Sequence, residues 1–164
     1  RKGLTGTVSL NTVLQRLLNP PSKDKEDLER GSRIFREGDK VMQTSNNYEI
    51  EWEKNGAVGM GIFNGDIGTI VSIEAADGYI EMIFDDRKVI YDVSLLEDIE
   101  HAYAITVHKS QGSEFDVVLL VITDMTPLLQ YRNLLYTAVT RAKQLLIIVG
   151  NEQVLKNMVD KLIM

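Results

Sequence analysis

The sequence predicts an α/β chain interrupted by a small all-β unit. Three observations lead there. Residues 104–107, 117–122 and 145–149 are continuous apolar runs without alternation, as in strands of a parallel sheet covered on both faces. Leu128, Tyr131, Leu135, Ala138 and Ala142, and then Val154, Leu155, Met158, Val159 and Leu162, recur at helical spacing around those runs. From Gly38 to Ile99 the texture changes to short runs separated by turn pairs, the pattern of a small barrel. The expected division is therefore an α/β lobe in two pieces, 1–37 and 100–164, with 38–99 as an inserted β-barrel.

In chain order, residues 10–18 read as a helix. Asn11 is its expected N-cap, Val13, Leu14, Leu17 and Leu18 its apolar face, and Asn19-Pro20-Pro21 its stop. Residues 22–36 are charged and read as a solvated loop or frayed helix. After a Gly38-Asp39 turn, 40–44 is an expected strand and 46–54 an acidic loop. Residues 56–68 are dense in glycine and read as bends between strands. They contain Gly59-Met-Gly61 but neither GxGxxG nor GxxxxGK[ST], so no phosphate loop is read there. Strands follow at 69–73, at 79–84 with Ile80, Met82 and Phe84 on one face, and at 88–93. Asn64-Gly65, Asp77-Gly78 and Asp85-Asp86 supply the turns. Thr126-Pro127 starts a helix running to 142, Pro standing where its missing N–H costs nothing. Gly150-Asn151 opens the last helix.

At 164 residues this is one domain, or one with a small insertion. No cysteine is present, which excludes disulfides and thiolate metal sites. No metal site is expected from the remaining residues. No apolar run reaches membrane-spanning length, and the opening Arg1-Lys-Gly-Leu-Thr-Gly lacks a signal peptide's apolar core. With no initiator Met, the chain reads as a segment of a longer cytoplasmic protein. A net charge of −6 argues against a free-standing nucleic-acid module, so any such contact is confined to a few donors on one rim.

Two stretches carry the chemistry. Ala102-Tyr-Ala-Ile-Thr-Val-His-Lys-Ser-Gln-Gly-Ser-Glu-Phe-Asp116 places a loop dense in donors between two apolar runs. Leu134-Leu-Tyr-Thr-Ala-Val-Thr-Arg-Ala-Lys143 follows downstream. In this order and at this distance, the pair resembles motifs V and VI of superfamily 1 helicases. The form His108-Lys-Ser-Gln-Gly112 resembles the RecD-like branch, shared in part with Pif-type helicases. Gly3, Gly6, Leu10-Asn11, Leu14-Gln15 and Asn19-Pro20 resemble the leader of that family's second motor lobe. Gly38-Asp-Lys-Val-Met-Gln43 and Asn64-Gly-Asp-Ile-Gly68 resemble its inserted SH3-like barrel.

The resemblance implies a second RecA-like lobe with its barrel, and so half of an ATP-driven motor moving 5′ to 3′ on single-stranded DNA. Thr106 and His108 would face the DNA, and Lys109 and Ser110 its phosphates, where a hydroxyl and a cation suit phosphate oxygens. Gln111 and Gly112 would line the nucleotide cleft, Glu114 would contact the ribose, and Arg141 would be the arginine finger. ATP and Mg²⁺ are implied for the full-length enzyme, with none bound by this segment. A first motor lobe of the same chain is the implied partner, and subunits of a nuclease complex are not specified.

Competing readings stay open at this point. His108 as a solvated loop residue and Glu114 as an exposed acid compete with their site roles. A salt bridge to Asp124 competes for Arg141, which the helix spacing puts at the edge of the buried face. A helical Tyr136 is more often core than site. Thr137 and Thr140 read as a polar flank, and Lys143 as solvated. As a whole, the chain could also be a non-catalytic adaptor, its barrel binding a peptide with help from Trp52, Tyr79 and Tyr91. An RNA helicase of the same superfamily is the third alternative.

Overall fold

The computed structural model describes residues 6–123 and 126–161. Gly3, Asp124 and Leu162, used in the sequence reading, lie outside the described residues. The chain divides into two compact units, Arg1–Ala104 and Ile105–Met164. The boundaries expected at 37 and 100 both fall inside the first unit.

The first unit begins with α1, Thr7–Leu18, which starts after Gly6 rather than at Asn11. Its faces are inverted relative to expectation. Gln15 and Asn19 are 8% and 4% exposed, whereas Leu17 and Leu18 are 71% and 69% exposed. Asn11, Gln15 and Asn19 stand four residues apart and form one stripe along the helix. That stripe points inward because it must serve a fully buried carboxylate, Asp39. A buried charge needs donors, which an apolar face could not supply.

β1 (Asp27–Arg30) and β2 (Arg33–Arg36) form an antiparallel hairpin where a loop or frayed helix was expected. The charge run hid two inward residues. Phe35 is fully buried, and Arg36 is buried with its guanidinium forked on Asp27 at 2.7 and 2.8 Å.

β3 (Lys40–Gln43), β4 (Asn47–Lys54), β5 (Ala57–Ile62), β6 (Ile67–Glu74), β7 (Tyr79–Phe84), β8 (Arg87–Asp92) and β9 (Ile99–His101) form one antiparallel sheet. Its order is β5-β4-β8-β7-β6-β3-β9. Ile80, Met82 and Phe84 turn inward together as their alternation predicts, and close a core with Ile50, Ile70, Val89 and Tyr91. The acidic loop expected at 46–54 is β4. Glu49, Glu51 and Glu53 face solvent while Ile50 points in, so the alternation was present under the charge. Asp85 and Asp86 make the turn from β7 to β8, both at positive φ, 48° and 64°, as tight hairpin turns require. β3 pairs with β9, Gln43 opposite Ile99, so the chain enters and leaves this sheet side by side.

The second unit holds a parallel pair, β10 (Phe115–Ile122) and β11 (Ala142–Gly150), with α2 (Arg132–Val139) and α3 (Glu152–Asp160). Its core is Ile122, Leu135, Val154 and Met158. Several expectations are corrected here. The strand expected at 104–107 does not form, and the chain instead passes irregularly into a 3-10 turn, Val107–Ser110. The parallel sheet therefore has two strands among the described residues, and it is not covered on both faces. Leu119 and Leu145 remain 61% and 50% exposed. The helix expected at 128–142 shrinks to a 3-10 turn, Pro127–Leu129, and the short α2. Ala142 already belongs to β11, whose ladder to Phe115 captures it.

Candidate functional site

The donor-rich loop is built by a cap and a tight turn. Thr106 is the N-cap of the Val107–Ser110 turn, its hydroxyl accepting the Lys109 N–H at 3.4 Å. Ser110 is buried and donates its hydroxyl to the Val107 carbonyl at 2.8 Å. His108 at the tip is exposed, Lys109 is half-buried, and Gln111 and Gly112 are exposed. Gly112 sits at φ +85° with open space where a Cβ would be. Its glycine is thus required by backbone conformation rather than by crowding. Ser110, counted with the phosphate-facing donors, already spends its proton inside the turn, and His108 and Gln111 are the exposed polar side chains there.

Arg141 lies beyond the end of α2, not on it, so its placement by helix spacing is corrected. At the helix end the Thr140 hydroxyl bonds back to the Tyr136 and Thr137 carbonyls, at 2.9 and 3.1 Å, and by Ala142 the chain is already paired with Phe115 in the β10–β11 ladder. From there the half-buried guanidinium ties the two motifs together. Nε donates to the Thr137 carbonyl at 3.1 Å, one terminal nitrogen to the Ser113 carbonyl at 2.9 Å and the other to the Thr140 hydroxyl at 3.2 Å. The Phe115 N–H returns a bond to the Arg141 carbonyl at 2.8 Å. A guanidinium has five N–H donors, so two are unassigned among the described hydrogen bonds, one on each terminal nitrogen. A guanidinium offers its N–H groups in one plane, a geometry that suits phosphate oxygens.

Glu114 and Lys143 are more than half exposed and form an ion pair at 3.6 Å. Such a pair is weak and easily opened by a ligand. Tyr136 is 67% exposed, so the core role expected for a helical tyrosine is corrected. It stands on the face of α2 opposite Leu135 and Ala138, which are the buried ones. Among the described residues no group of three His, Asp or Glu is placed to hold a metal ion. No helix there is long and apolar enough to cross a membrane.

The sequence reading missed two features, one in each unit. One is the Ser113 carbonyl, a backbone group that no side-chain pattern could flag. The other is Asp39, which takes hydrogen bonds from Gln15, Asn19, Arg36, His101 and Tyr103. Burial pushes Asp39 up, but the bonds from His101, Asn19 and Tyr103 outweigh it and hold the carboxylate below its ordinary range. Tyr103 is pushed up to about 12, first by burial and then by its bond to Asp39. The signal was the amide spacing of Asn11, Gln15 and Asn19.

Two modules of one class of motor protein match these units in sequence. Residues 10–84 match the SH3 domain of ATP-dependent RecD-like DNA helicases, and residues 101–149 match the UvrD-like helicase C-terminal domain. The ATP-dependent RecD2 DNA helicase of Deinococcus radiodurans is 38% identical over 147 residues, covering 87% of this chain and 18% of that protein. The RecBCD enzyme subunit RecD of Mycolicibacterium smegmatis is 33% identical over 124 residues, 76% of this chain and 20% of that one. RecD of Haemophilus influenzae is 33% identical over 120 residues, 73% of this chain and 16% of that subunit. The chain thus spans a fifth or less of the length of these relatives. It belongs to the RecD-like helicase family.

Proposed function

We propose that this chain is the C-terminal motor part of an ATP-dependent DNA helicase that moves 5′ to 3′ along single-stranded DNA. The observation that carries this reading is Arg141. Its side chain bridges the loop of the first motif and the tail of the second while one N–H on each terminal nitrogen is unassigned among the described hydrogen bonds. A structural arginine on the surface would pair with an acid, yet the described partners of this guanidinium are neutral oxygens. The donor set fits a nucleotide phosphate.

In this reading Arg141 stabilises the charge that develops on the transferring γ-phosphoryl group, and Gln111 and Gly112 line the same cleft. Glu114 exchanges Lys143 for a ribose hydroxyl. Thr106, His108, Lys109 and Ser110 form the single-strand contact, with the His108 imidazole free to stack on a base. Residues 1–37 and 100–164 form one RecA-like lobe in the intact cytoplasmic protein, with 38–99 as its insertion. The remaining phosphate cradle and the ligands for Mg²⁺ come from a first lobe. The exposed aliphatic faces of β10 and β11 support a larger sheet than these two strands provide.

The test is Arg141→Lys in the full-length protein, with folding and DNA binding measured first. Lysine keeps the charge and loses the fork. The finger reading expects ATPase activity to fall by about 10³-fold or more with DNA affinity kept. A drop of less than about tenfold, roughly 1.4 kcal/mol, removes Arg141 from the reaction.

A further inference from the structure

β5 is one edge of the sheet in the first unit, and β4 is the strand it pairs with among the described residues. An edge strand leaves a row of backbone N–H and C=O groups unpaired, and proteins commonly guard it with charge, proline or shortness. The opposite edge, β9, is guarded in this way, being three residues long and carrying Glu100 and His101. β5 is twice as long, Ala57-Val-Gly-Met-Gly-Ile62, with no charge and no proline. Its ladder to β4 is regular from Ala57 to Met60, and the register shift falls beyond that stretch. Val58 and Met60 on it are 63% and 62% exposed.

The two faces beside this edge differ in chemistry. On one, Met60 stands opposite Glu51 and Val58 opposite Glu53, and both glutamates are exposed. The nearby cations are engaged elsewhere, Lys88 with Glu81 at 2.7 Å and Lys54 with Asp86 at 3.6 Å. No ion pair among the described residues takes Glu51 or Glu53. On the other face the Trp52 ring lies over Gly59, where an added Cβ would stand 2.3 Å from the indole. This half-buried ring extends apolar surface onto the edge strand itself.

A strand added at β5 would alternate its side chains between those two faces. It would lie about 10 Å from β4, two strand spacings away. A lysine and a glutamate span that gap together, the lysine stem covering Val58 or Met60. Cationic side chains therefore suit the glutamate face, and apolar ones the Trp52 face. A second copy of β5, uncharged, offers the glutamates no cation, and a nucleic acid would bring phosphates against them.

We propose that β5 is a docking edge for an extended segment of a partner protein in which Lys or Arg alternates with apolar residues. Main-chain hydrogen bonds to β5 supply affinity, and the alternation supplies selectivity. The aromatic groove considered for the barrel is not the route, because Tyr91 is fully buried.

The test uses the full-length protein, with a Lys-Val-Lys-Val-Lys-Val-Lys peptide as probe and Glu-Val-Glu-Val-Glu-Val-Glu as its counterpart. Hydrogen exchange at the β5 amides should slow when the basic peptide is added and stay unchanged with the acidic one. Glu51→Gln/Glu53→Gln should weaken binding by about fivefold or more and flatten its dependence on salt. Met60→Lys places a guard charge on the edge and should weaken binding by about tenfold or more. Melting temperatures confirm that each variant folds, and should Met60→Lys not fold, the glutamate pair carries the test. Equal binding of the two peptides overturns the proposal, as does binding of the basic one without slower exchange at β5. No binding of it at about 1 mM overturns it too. A dimer in sedimentation, with β5 amides protected before any peptide is added, gives the edge to a second copy and also overturns it.

Discussion

A Cβ at Gly150 would stand 1.7 Å from the Ile122 carbonyl oxygen, and the residue sits at φ +140°. The same carbonyl accepts the Asn151 N–H at 2.7 Å, just before Asn151 caps α3. One missing side chain therefore lets β11 hand over to α3. Gly150→Ala should destabilise the second unit by about 2 kcal/mol or more, from backbone strain and overpacking together. Urea unfolding followed by a probe in that unit checks it, and an unchanged midpoint would refute the close approach. Tyr103 makes a second prediction, through pH. Its folded pKa is raised from 10 to about 12, so its contribution is complete below pH 10 and fades as pH rises toward the folded value. Tyr103→Phe should be less stable than the parent at neutral pH, and that deficit should shrink between pH 10 and 12. A deficit independent of pH across that range would mean the hydroxyl is not titrating against Asp39.

At the scale of elements, α1 is the most informative. Its exposed Leu17 and buried Gln15 reverse the usual assignment of faces. Gln15→Leu should cost about 1–3 kcal/mol in the isolated chain, because Asp39 and the Ile34 carbonyl each lose a donor. Leu17→Gln should change stability by less than about 0.5 kcal/mol. Chemical denaturation of the two variants decides it, and the opposite order would restore the apolar face to the core. The extent of α1 was thus partly legible in the sequence, but not its orientation, since periodicity finds two faces without saying which one is buried. β7 was legible because its alternation is clean, from Tyr79 to Phe84. β4 was hidden because three of its outward residues, Glu49, Glu51 and Glu53, are acidic, and charge was taken for loop. The strand expected at 104–107 failed for a different reason. Its apolar run is real, but both backbone groups of Ala104 are spent on Asn11 instead of a ladder. In the candidate site, the residue types of both motifs could be read from the sequence. The link between them could not, because it runs through the carbonyls of Ser113 and Thr137.

On the scale of the whole chain, the two units differ sharply in how much they bury. The first closes its core with Phe35, Ile70, Ile80, Met82, Phe84, Tyr91 and others, most of them at or near zero exposure. The second has Ile122, Leu135, Val154 and Met158, while Val117, Leu119, Leu145 and Val149 on its strands stay 49–61% exposed. Hydrophobic stabilisation follows the apolar area removed from water. A sheet of two strands among the described residues, with one face open, also lacks a layer that a parallel sheet normally requires. Local opening should then cost far less in the second unit than in the first. Amide hydrogen exchange on the isolated chain should show β6, β7 and β8 as the most protected segments, and β10 and β11 exchanging faster by about 100-fold or more, equivalent to roughly 2.7 kcal/mol. In the full-length protein the same β10 and β11 amides should become as protected as those of β7, because the proposed larger sheet would cover them. Equal protection of both units in the isolated chain would mean that the second unit is self-sufficient. The exposed strands would then be no sign of a missing layer, and the support they lend to the two-lobed motor would be withdrawn.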